Sequence, residues 1–482
     1  MVRFLLNGTP VSVAHVDPHV TLLSWLRSNG LTGSKEGCAE GECGACAVAV
    51  LRADAHGGAR YDSINSCLLP LPSVSGRAIV TVEGIADDDG KLHPVQTAMV
   101  ERAGSQCGYC TPGFVVSLFC EFYRPGRAGY DPESISGNLC RCTGYRPIVD
   151  VARELPLPAP LDKRLPQLRE PVPPLSSLHH VAASELGPRS FVRPTSLPAL
   201  FVHWASTPDA TLIAGGTDLM VYANQRYQRW ANLISLEALP ELRQFALDPA
   251  ELHIGAGLEL AALEEHLAHT CPGLLPMFEQ LLPLFSSRLI RNRATLGGSL
   301  ATASPIGDAA PVLLALDATL TLVSAAGARR VPLVDFFCGY RQTVLGPQEL
   351  IQSVHIPLPA PRVSRFYKVS KRVLDDISTV AAAFCVELDS QGTVVRLRIA
   401  YGGVAATPLR ARAVESLAVG LPWSEQTVHT LLAALERVGT PQSDLRGQAG
   451  YRRALIGKLL EKFYVDSTTA ASAAGPQPGA AP

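Results

Sequence analysis

Two sets of cysteines carry the chemistry that this sequence suggests most directly. The first set is Cys38, Cys43, Cys46 and Cys67. The second set is Cys107, Cys110, Cys140 and Cys142. The first three cysteines of the first set have the C-x4-C-x2-C spacing of plant-type [2Fe–2S] ligands. Because each iron of such a cluster takes two sulfurs, four thiolates per set predict two iron–sulfur centres in the first third of the chain.

Glycines surround the first cysteine set. Gly37, Gly41 and Gly44 lack a Cβ, so the backbone can approach a cluster closely and point its N–H groups at the sulfurs. Four-cysteine zinc sites, which also use C-x2-C pairs, are the main alternative. The x4 spacing and the glycines argue against zinc in the first set, whereas the second set alone is compatible with either metal.

Length and composition fit a multidomain protein with metal-bound thiols. The chain has 482 residues, enough for three or four domains, and 47% hydrophobic residues can build large cores. A formal net charge of −1 argues against a nucleic-acid partner. We find no apolar run that suits a signal peptide or a membrane span, so we expect a cytoplasmic protein without a membrane partner. In that compartment, the 12 cysteines indicate metal binding rather than disulfides.

Strand-like segments around one helix must position the first cysteine set. The Asn7-Gly8 pair predicts a hairpin turn, residues 22–29 a short helix, and residues 47–52 and 78–82 two further strands. The first set lies between the helix and these strands. The pattern predicts a β-grasp ferredoxin domain that ends near residue 85.

Helical patterns surround the second cysteine set. Residues 93–103 and 112–123 have apolar residues at helical spacing, and residues 131–136 and 144–151 have the composition of helix starts. The second-set cysteines then lie in loops between helices. The sequence therefore predicts a compact helical bundle, with Cys120 on the apolar face of one helix.

A proline-rich stretch separates this bundle from an αβ region with two glycine-centred turns. We predict a partly extended linker over residues 155–188, with His179 and His180 exposed. The glycine turns lie at residues 211–218 and 295–304, and neither has the G-x-G-x-x-G pattern. Such a Gly-Gly pair can form a nest of N–H groups for a pyrophosphate, or can be only a tight turn. Two of them downstream of two one-electron carriers favour a flavin, which exchanges single electrons for pairs.

Taken together, these motifs resemble the small, iron–sulfur/FAD subunits of bacterial xanthine dehydrogenases, in the molybdenum hydroxylase family. The segments that carry the resemblance are residues 35–46, 106–113, 137–147, 214–218 and 291–308. The three cysteine-containing segments are highly specific in combination, and the two flavin segments are moderately specific. The resemblance covers roughly residues 1–465.

The resemblance implies an α+β multidomain fold of six segments, four of which are domains. They are a β-grasp [2Fe–2S] ferredoxin domain (1–85), a four-helix-bundle [2Fe–2S] domain (86–155), a Pro-rich linker (156–188), a vanillyl-alcohol-oxidase-type FAD-binding domain (189–360), a C-terminal α+β flavoprotein domain (361–466) and a disordered tail (467–482).

The resemblance also implies roles for individual residues. The FAD pyrophosphate would lie on Leu212, Ile213, Ala214, Gly215, Gly216, Thr217, Asp218 and Leu219, and on Thr295, Leu296, Gly297, Gly298 and Ser299. Further cofactor contacts would come from Phe285, Thr302, Asp308, Ile351 and Lys368. The nicotinamide side of the flavin would lie near Tyr340, Asp375, Asp376 and the preceding Lys371-Arg372. Gln106 would face the molybdopterin cofactor of a partner chain.

The residues by themselves leave plainer roles open. Phe285 could be core, Asp308 a helix cap, Lys368 a solvated strand residue and Tyr340 part of a turn. Residues 371–376 could be a solvated charged loop. Two departures from the family pattern bear on the flavin domains. Ser299 stands where Asn is common, and Val373-Leu374 replace more polar residues.

We find no molybdenum-binding domain in these 482 residues. The resemblance therefore implies that substrate is oxidised on a separate large subunit, with no catalytic residue for that step on this chain. The assembly would hold two small and two large subunits. Electrons would pass from hypoxanthine or xanthine through molybdenum, the second cluster, the first cluster and FAD to NAD. The alternatives are another molybdenum hydroxylase, acting on an aldehyde, an N-heterocycle or carbon monoxide, and a stand-alone NADH diaphorase.

Overall fold

A computed structural model describes residues 1–54, 57–87, 89–184 and 187–473. The chain forms two compact units. The first unit comprises Met1–Arg243, Gly257–Glu265 and Ser286–Thr295, and the second comprises Gln244–Ala256, His266–Phe285 and the chain from Leu296 onward. Within the described ranges, no helix is long and apolar enough to cross a membrane.

The first unit begins with a five-stranded sheet of order β2-β1-β5-β3-β4. Its elements are β1 (Val2–Leu6), β2 (Thr9–Val13), helix α1 (Leu22–Ser28), β3 (Ala47–Ala53), β4 (Ala59–Asn65) and β5 (Ala78–Val80). Asn7 and Gly8 have φ angles of 52° and 84°, so the predicted hairpin with a primed-type turn is confirmed. Leu22 and Leu26 of α1 pack into the core of this sheet. The predicted helix and strands are therefore confirmed as well.

A helical layer follows the sheet. Its helices are α2 (Pro94–Glu101), α3 (Thr111–Phe122), α4 (Arg146–Glu154) and α5 (Leu165–Arg169). Phe114 and Phe119 of α3 are fully buried at the centre, and Cys120 packs in the same core, as predicted. The helix start expected at residues 131–136 is only a short 3-10 helix, Pro132–Ile135. Gly137, a poor helix former, lies two residues after its end.

The expected linker at residues 156–188 is partly structured. It contains α5 and strand β6 (Leu178–Ala182), which pairs with the next strand. His179 is exposed, but His180 is only 1% exposed and its Nε2 bonds to the Val16 carbonyl at 2.7 Å. The expectation that both histidines are exposed is wrong for His180, because neighbouring residues of a strand face opposite sides.

The first glycine segment lies in a four-stranded sheet of order β6-β7-β9-β8. Its other strands are β7 (Arg189–Arg193), β8 (Thr211–Ile213) and β9 (Asn232–Ser235). Helices α6 (Leu197–Ser206) and α7 (Leu219–Gln225) lie between these strands in the sequence. β7, β9 and β8 run parallel. The glycine loop therefore lies at the carboxyl end of a parallel strand, where α/β sheets bind ligands.

Residues 244–316 contribute short elements to both units. They are β10 (Phe245–Leu247), β11 (Glu251–Gly255), α8 (Leu260–Thr270), α9 (Pro276–Leu281), α10 (Arg288–Arg291), α11 (Leu296–Ala301) and α12 (Ala309–Ala315). The second glycine segment was expected to be a turn, but residues 296–301 form helix α11. Gly297 donates its N–H to the Ala256 carbonyl at 2.8 Å, so the start of this helix is fixed by packing.

Two antiparallel sheets form most of the second unit. Their orders are β10-β11-β16-β12-β13 and β17-β18-β19-β20, beside a small β14-β15 pair. The strands are β12 (Thr319–Ser324), β13 (Gly327–Pro332), β14 (Phe337–Gly339), β15 (Gln342–Thr343), β16 (Leu350–Pro357), β17 (Val363–Val369), β18 (Val380–Leu388), β19 (Val394–Gly402) and β20 (Leu409–Arg410).

Helices α13 (Arg412–Glu415), α14 (Glu425–Leu435) and α15 (Ala449–Ala473) complete the second unit. The predicted start of the disordered tail, at residue 467, is too early, because residues 467–473 continue α15. Ser467 is 6% exposed and accepts a hydrogen bond from Trp423 Nε1 at 3.0 Å, which anchors this turn of the helix. Residues 474–482 of the expected tail lie outside the described residues.

Candidate iron–sulfur and flavin sites

The four thiols of the first set approach each other in pairs. Cys38 lies beside Cys43 and Cys46 beside Cys67, and hydrogen bonding within each pair lowers the pKa of the Cys38 and Cys46 thiols. Backbone N–H groups also point at the sulfurs: that of Cys43 lies 3.4 Å from Cys38 Sγ. The loop therefore supplies both the thiols and the N–H donors that an iron–sulfur cluster needs.

The second set shows the same pairing nearer to the surface. Cys107 lies beside Cys142, and a backbone N–H from Tyr109 together with this thiol contact lowers the Cys107 pKa. Cys110 lies beside Cys140, and burial followed by this contact raises the Cys110 pKa to about 12. Cys107 and Cys142 are exposed, whereas Cys140 is buried. One edge of the second set therefore faces outward.

The paired arrangement fits a two-iron cluster better than a single metal ion. A zinc site would need all four thiolates around one centre. Two pairs of thiols instead match a ligand set in which each of two irons takes two sulfurs.

The two cysteine loops touch each other inside the first unit. The Leu139 N–H, next to Cys140, donates to the Cys43 carbonyl at 3.0 Å. The approach depends on glycine: a Cβ on Gly44 would lie 2.2 Å from the Gly137 oxygen, and Gly44 also has a φ of 66°. A short covalent and hydrogen-bonded path therefore joins a ligand of one set to a ligand of the other.

The glycine loop of residues 214–218 rests on a buried arginine. A Cβ on Gly215 would lie 1.9 Å from the Arg293 carbonyl oxygen, so only glycine fits. Arg293 Nε donates to the Gly215 carbonyl at 3.2 Å. Gly216 has a φ of 77°, Thr217 is half-buried and Asp218 is exposed. The loop thus presents backbone and a hydroxyl group at the end of β8, which fits a pyrophosphate.

A buried carboxylate holds Arg293 in place. Glu237 pairs with Arg293 and also with Arg77 of the ferredoxin-like sheet, at 3.1 Å. Burial opposes ionisation of Glu237, but the guanidinium groups of Arg293, Arg77 and Arg193 lower its pKa to about 2. The sequence offered no signal for this network, because its members are far apart along the chain.

In the second unit, two of the expected flavin residues form one buried cluster. Lys368 Nζ donates to the Asp308 carboxylate at 2.9 Å and to the Leu284 carbonyl at 2.7 Å. Ser378 Oγ donates to the other Asp308 oxygen at 2.6 Å. Asp308 precedes α12 but makes no side-chain cap, and the Lys368 side chain is 2% exposed. The plainer readings of a helix cap and a solvated lysine are therefore wrong.

The other expected residues of this unit are dispersed around α11 and β16. A Cβ on Gly297 would lie 2.8 Å from the Ala256 oxygen, so this glycine serves packing, whereas Gly298 is exposed. The Thr302 hydroxyl bonds to the Gly298 carbonyl at 2.9 Å. Four more expected residues range from buried to half-buried: Phe285, Leu296, Ser299 and Ile351.

The expected nicotinamide residues lie in loops of the second unit. Tyr340 is 63% exposed at the turn after β14. The Asp376 carboxylate accepts the backbone N–H groups of Arg372 and Ile377 at 2.8 and 2.9 Å, and Asp375 has a φ of 50° and is 8% exposed. Both aspartates therefore contribute to the conformation of their own loop, independently of any ligand.

Two functional candidates escaped the sequence reasoning. Asn224 and Gln225, at the end of α7, bond to carbonyls of the first cysteine set. Nothing in their local sequence marks them. Gln106, expected to face a partner's cofactor, is exposed beside the second set, and its role stays a prediction.

Comparison with known families matches four domain models along the chain. They are a 2Fe-2S iron-sulfur cluster binding domain (residues 4–71), a [2Fe-2S] binding domain (81–153), the FAD binding domain in molybdopterin dehydrogenase (185–359) and the CO dehydrogenase flavoprotein C-terminal domain (365–467). Together with the observed architecture, they confirm the predicted α+β multidomain fold class.

The chain is similar to curated proteins over nearly its whole length. It is 34% identical to the xanthine dehydrogenase of Emericella nidulans over 96% of this chain, and 32% identical to xanthine dehydrogenase 2 of Arabidopsis thaliana over 93%. The chain spans only 38% of the length of each of these relatives.

Solved structures are similar over a shorter stretch. A carbon monoxide dehydrogenase chain from Hydrogenophaga pseudoflava is 28% identical with a TM-score of 0.54, covering 58% of this chain and 96% of that one. A quinoline 2-oxidoreductase chain from Pseudomonas putida 86 is also 28% identical, with a TM-score of 0.53 and the same coverage of both chains.

Proposed function

This chain belongs to the molybdenum hydroxylase family, as its iron–sulfur and FAD electron-transfer part, and we propose that it is the small subunit of a xanthine dehydrogenase. In this proposal, a separate molybdenum-containing large subunit oxidises hypoxanthine and xanthine to urate. The small subunit passes the electrons to NAD. The relatives named above are eukaryotic, so the bacterial type stays a prediction, as does a cytoplasmic heterotetramer.

The observation that carries the proposal is the direct contact between the two cysteine loops. The hydrogen bond from Leu139 to Cys43 places backbone of both ligand sets in contact. When bound, the two clusters would carry single electrons and the flavin would exchange them for pairs. The residues of this chain contribute by holding the two ligand loops in contact through this hydrogen bond. That arrangement suits a relay better than two independent sites.

The surface at the second set supports electron entry from a partner. Cys107, Cys142 and Gln106 are exposed there. The apolar side chains of Tyr109, Leu139 and Tyr145 are also 37–48% exposed. Exposed aromatic and aliphatic side chains beside a polar rim are typical of protein interfaces. We therefore place the large subunit on this face.

Flavin binding is supported separately in each unit. In the first unit, Arg293 holds the glycine loop at the end of β8, as described above. In the second unit, Asp308 and Lys368 form a buried ion pair beside Ser378. These groups can fix and orient a polar ring system, since an ionised pair with a hydroxyl neighbour supplies both donors and acceptors. FAD is thus our proposed cofactor beside the two [2Fe–2S] clusters.

The most specific part of the proposal is that NAD is the electron acceptor. Lys371, Arg372 and Asp376 lie in one loop, with Val373 75% exposed between them. The two cations can bind phosphate groups, and the Asp376 carboxylate can accept hydrogen bonds from a ribose or carboxamide. The main alternative is a related hydroxylase for another substrate, because the structural similarity includes carbon monoxide dehydrogenase and quinoline 2-oxidoreductase chains.

The test is co-purification followed by substrate assay. A tagged chain, purified from its native cells, should bring down a large subunit with molybdenum. The complex should reduce NAD with hypoxanthine and xanthine. Turnover with an aldehyde or an N-heterocycle only would favour the related hydroxylase. Absence of any molybdenum subunit, with NADH oxidation intact, would favour the diaphorase.

A further inference from the structure

We propose that Asn224 is a positioning residue of the first iron–sulfur centre, holding its two thiol pairs at a fixed separation. The Asn224 carboxamide lies at the end of α7, outside the cysteine motif. Its Nδ2 donates to the Ala39 carbonyl and to the Cys67 carbonyl, both at 2.8 Å. A primary amide has two N–H bonds, and this one uses both on the cysteine loop.

The two carbonyls belong to different thiol pairs. Ala39 directly follows Cys38, which pairs with Cys43, whereas Cys67 pairs with Cys46. One planar side chain therefore spans the gap between the ligands of one iron and the ligands of the other. Because this side chain is planar and rigid, it fixes the separation of the two thiol pairs. The spacing of the cysteines along the chain cannot fix that separation, because Cys67 is distant in the sequence.

The backbone at Ala39 needs such an anchor. Ala39 has a φ of 57°, in the left-handed region that non-glycine residues rarely occupy. The conformation persists only where surrounding contacts over-determine it. The hydrogen bond from Asn224 is one such contact, and Gln225 adds a second by donating to the neighbouring Cys38 carbonyl at 2.8 Å.

Helix α7 itself is firmly seated against the ligands. Met220 is fully buried and Ala223 is 1% exposed, and both pack in one apolar cluster with Cys46, Cys67 and Leu68. The helix begins at Leu219, directly after the glycine loop. The anchor of the first centre is therefore a short rigid element that also borders the proposed pyrophosphate loop.

The test compares four variants of the full chain, each loaded with iron and reduced for EPR. Asn224→Ala removes both donors without adding charge, and Asn224→Asp replaces them by an oxygen that repels the two carbonyls. Asn29→Asp is the matched control, because Asn29 Nδ2 donates to the Trp25 carbonyl at 2.8 Å on an exposed surface and the change in charge is the same. Cys43→Ser identifies which signal belongs to the first centre.

We expect the first-centre signal to shift in g values and midpoint potential in both Asn224 variants, more for Asp than for Ala, with the second signal unchanged. Asn29→Asp should change neither signal. Full iron content with both signals unchanged in the Asn224 variants would overturn the inference. So would equal changes in both signals, since Asn224 would then act on the whole unit. The inference rests on the proposed function only in assuming that a cluster is present. If the wild-type chain showed no [2Fe–2S] signals, the proposed function would be refuted, and not the role of Asn224.

Discussion

Glu237→Gln should strongly destabilise the first unit. Glu237 is the shared partner of Arg77 and Arg293, and the side chains of the three residues are 5–9% exposed. Glutamine keeps the shape and removes the charge. Two buried guanidinium groups would then lack their common counter-charge, while Arg293 would still have to hold the Gly215 carbonyl.

The expected loss in the free energy of unfolding can be worked out in two ways. The pKa of Glu237 falls from its ordinary 4.5 to about 2, and at 1.36 kcal/mol per pH unit this corresponds to about 3 kcal/mol. Removing one partner of a buried ion pair typically costs about 3–5 kcal/mol. The two agree, so we expect a loss of about 3 kcal/mol at neutral pH. Because the folded pKa is depressed, this contribution is present above about pH 4.5 and is lost as the pH falls towards 2.

Hydrogen exchange of the amides in β5 and β9 measures this loss of stability locally. The measurement is therefore valid even if the two units do not unfold in a single step. The matched control is Glu154→Gln, which breaks an ion pair with Arg102 whose side chains are 56% and 51% exposed. That exposed pair should contribute at most about 1 kcal/mol. If Glu237→Gln lowers the opening free energy no more than Glu154→Gln does, the reasoning about the buried network is wrong.

Three further predictions concern the redox sites. The chain should hold four irons and one FAD, with two distinct [2Fe–2S] EPR signals, and Cys43→Ser should remove one signal only; loss of both signals, or zinc in metal analysis, would contradict the cluster assignment. The isolated chain should oxidise NADH with an artificial dye and should not oxidise xanthine, because the proposed function assigns the molybdenum site to a separate large subunit; xanthine turnover by the pure chain would contradict the subunit assignment. Asp375→Ala combined with Asp376→Ala should raise the KM for NAD about tenfold, the loss of roughly one charged hydrogen bond, and leave reduction of the clusters by substrate nearly unchanged. Wild-type NAD kinetics in this double variant would remove the loop from the nicotinamide site.

The sequence alone was sufficient wherever chemistry depends on local spacing. The Asn7-Gly8 hairpin depends on neighbours in the chain, so residue type and interval predicted it. The same holds for α3, whose apolar pattern matched its burial. The C-x4-C-x2-C segment is a local pattern of the same kind, and the role of its thiols as ligands stays a prediction. Local patterns failed where packing overrides them. The second glycine segment became helix α11, because Gly297 packs on Ala256, and His180 turned inward with strand β6.

Only the tertiary structure decided which distant groups meet. Asn224 reaches Ala39 and Cys67 across 185 and 157 residues, and Lys368 reaches Asp308 across 60. Such contacts depend on how sheets and helices pack, and no local propensity encodes them. The sequence by itself determined which thiols are available as ligands of the proposed clusters. The fold determined what holds those atoms at their separations, because hydrogen bonds and ion pairs between distant segments form only after the elements have packed.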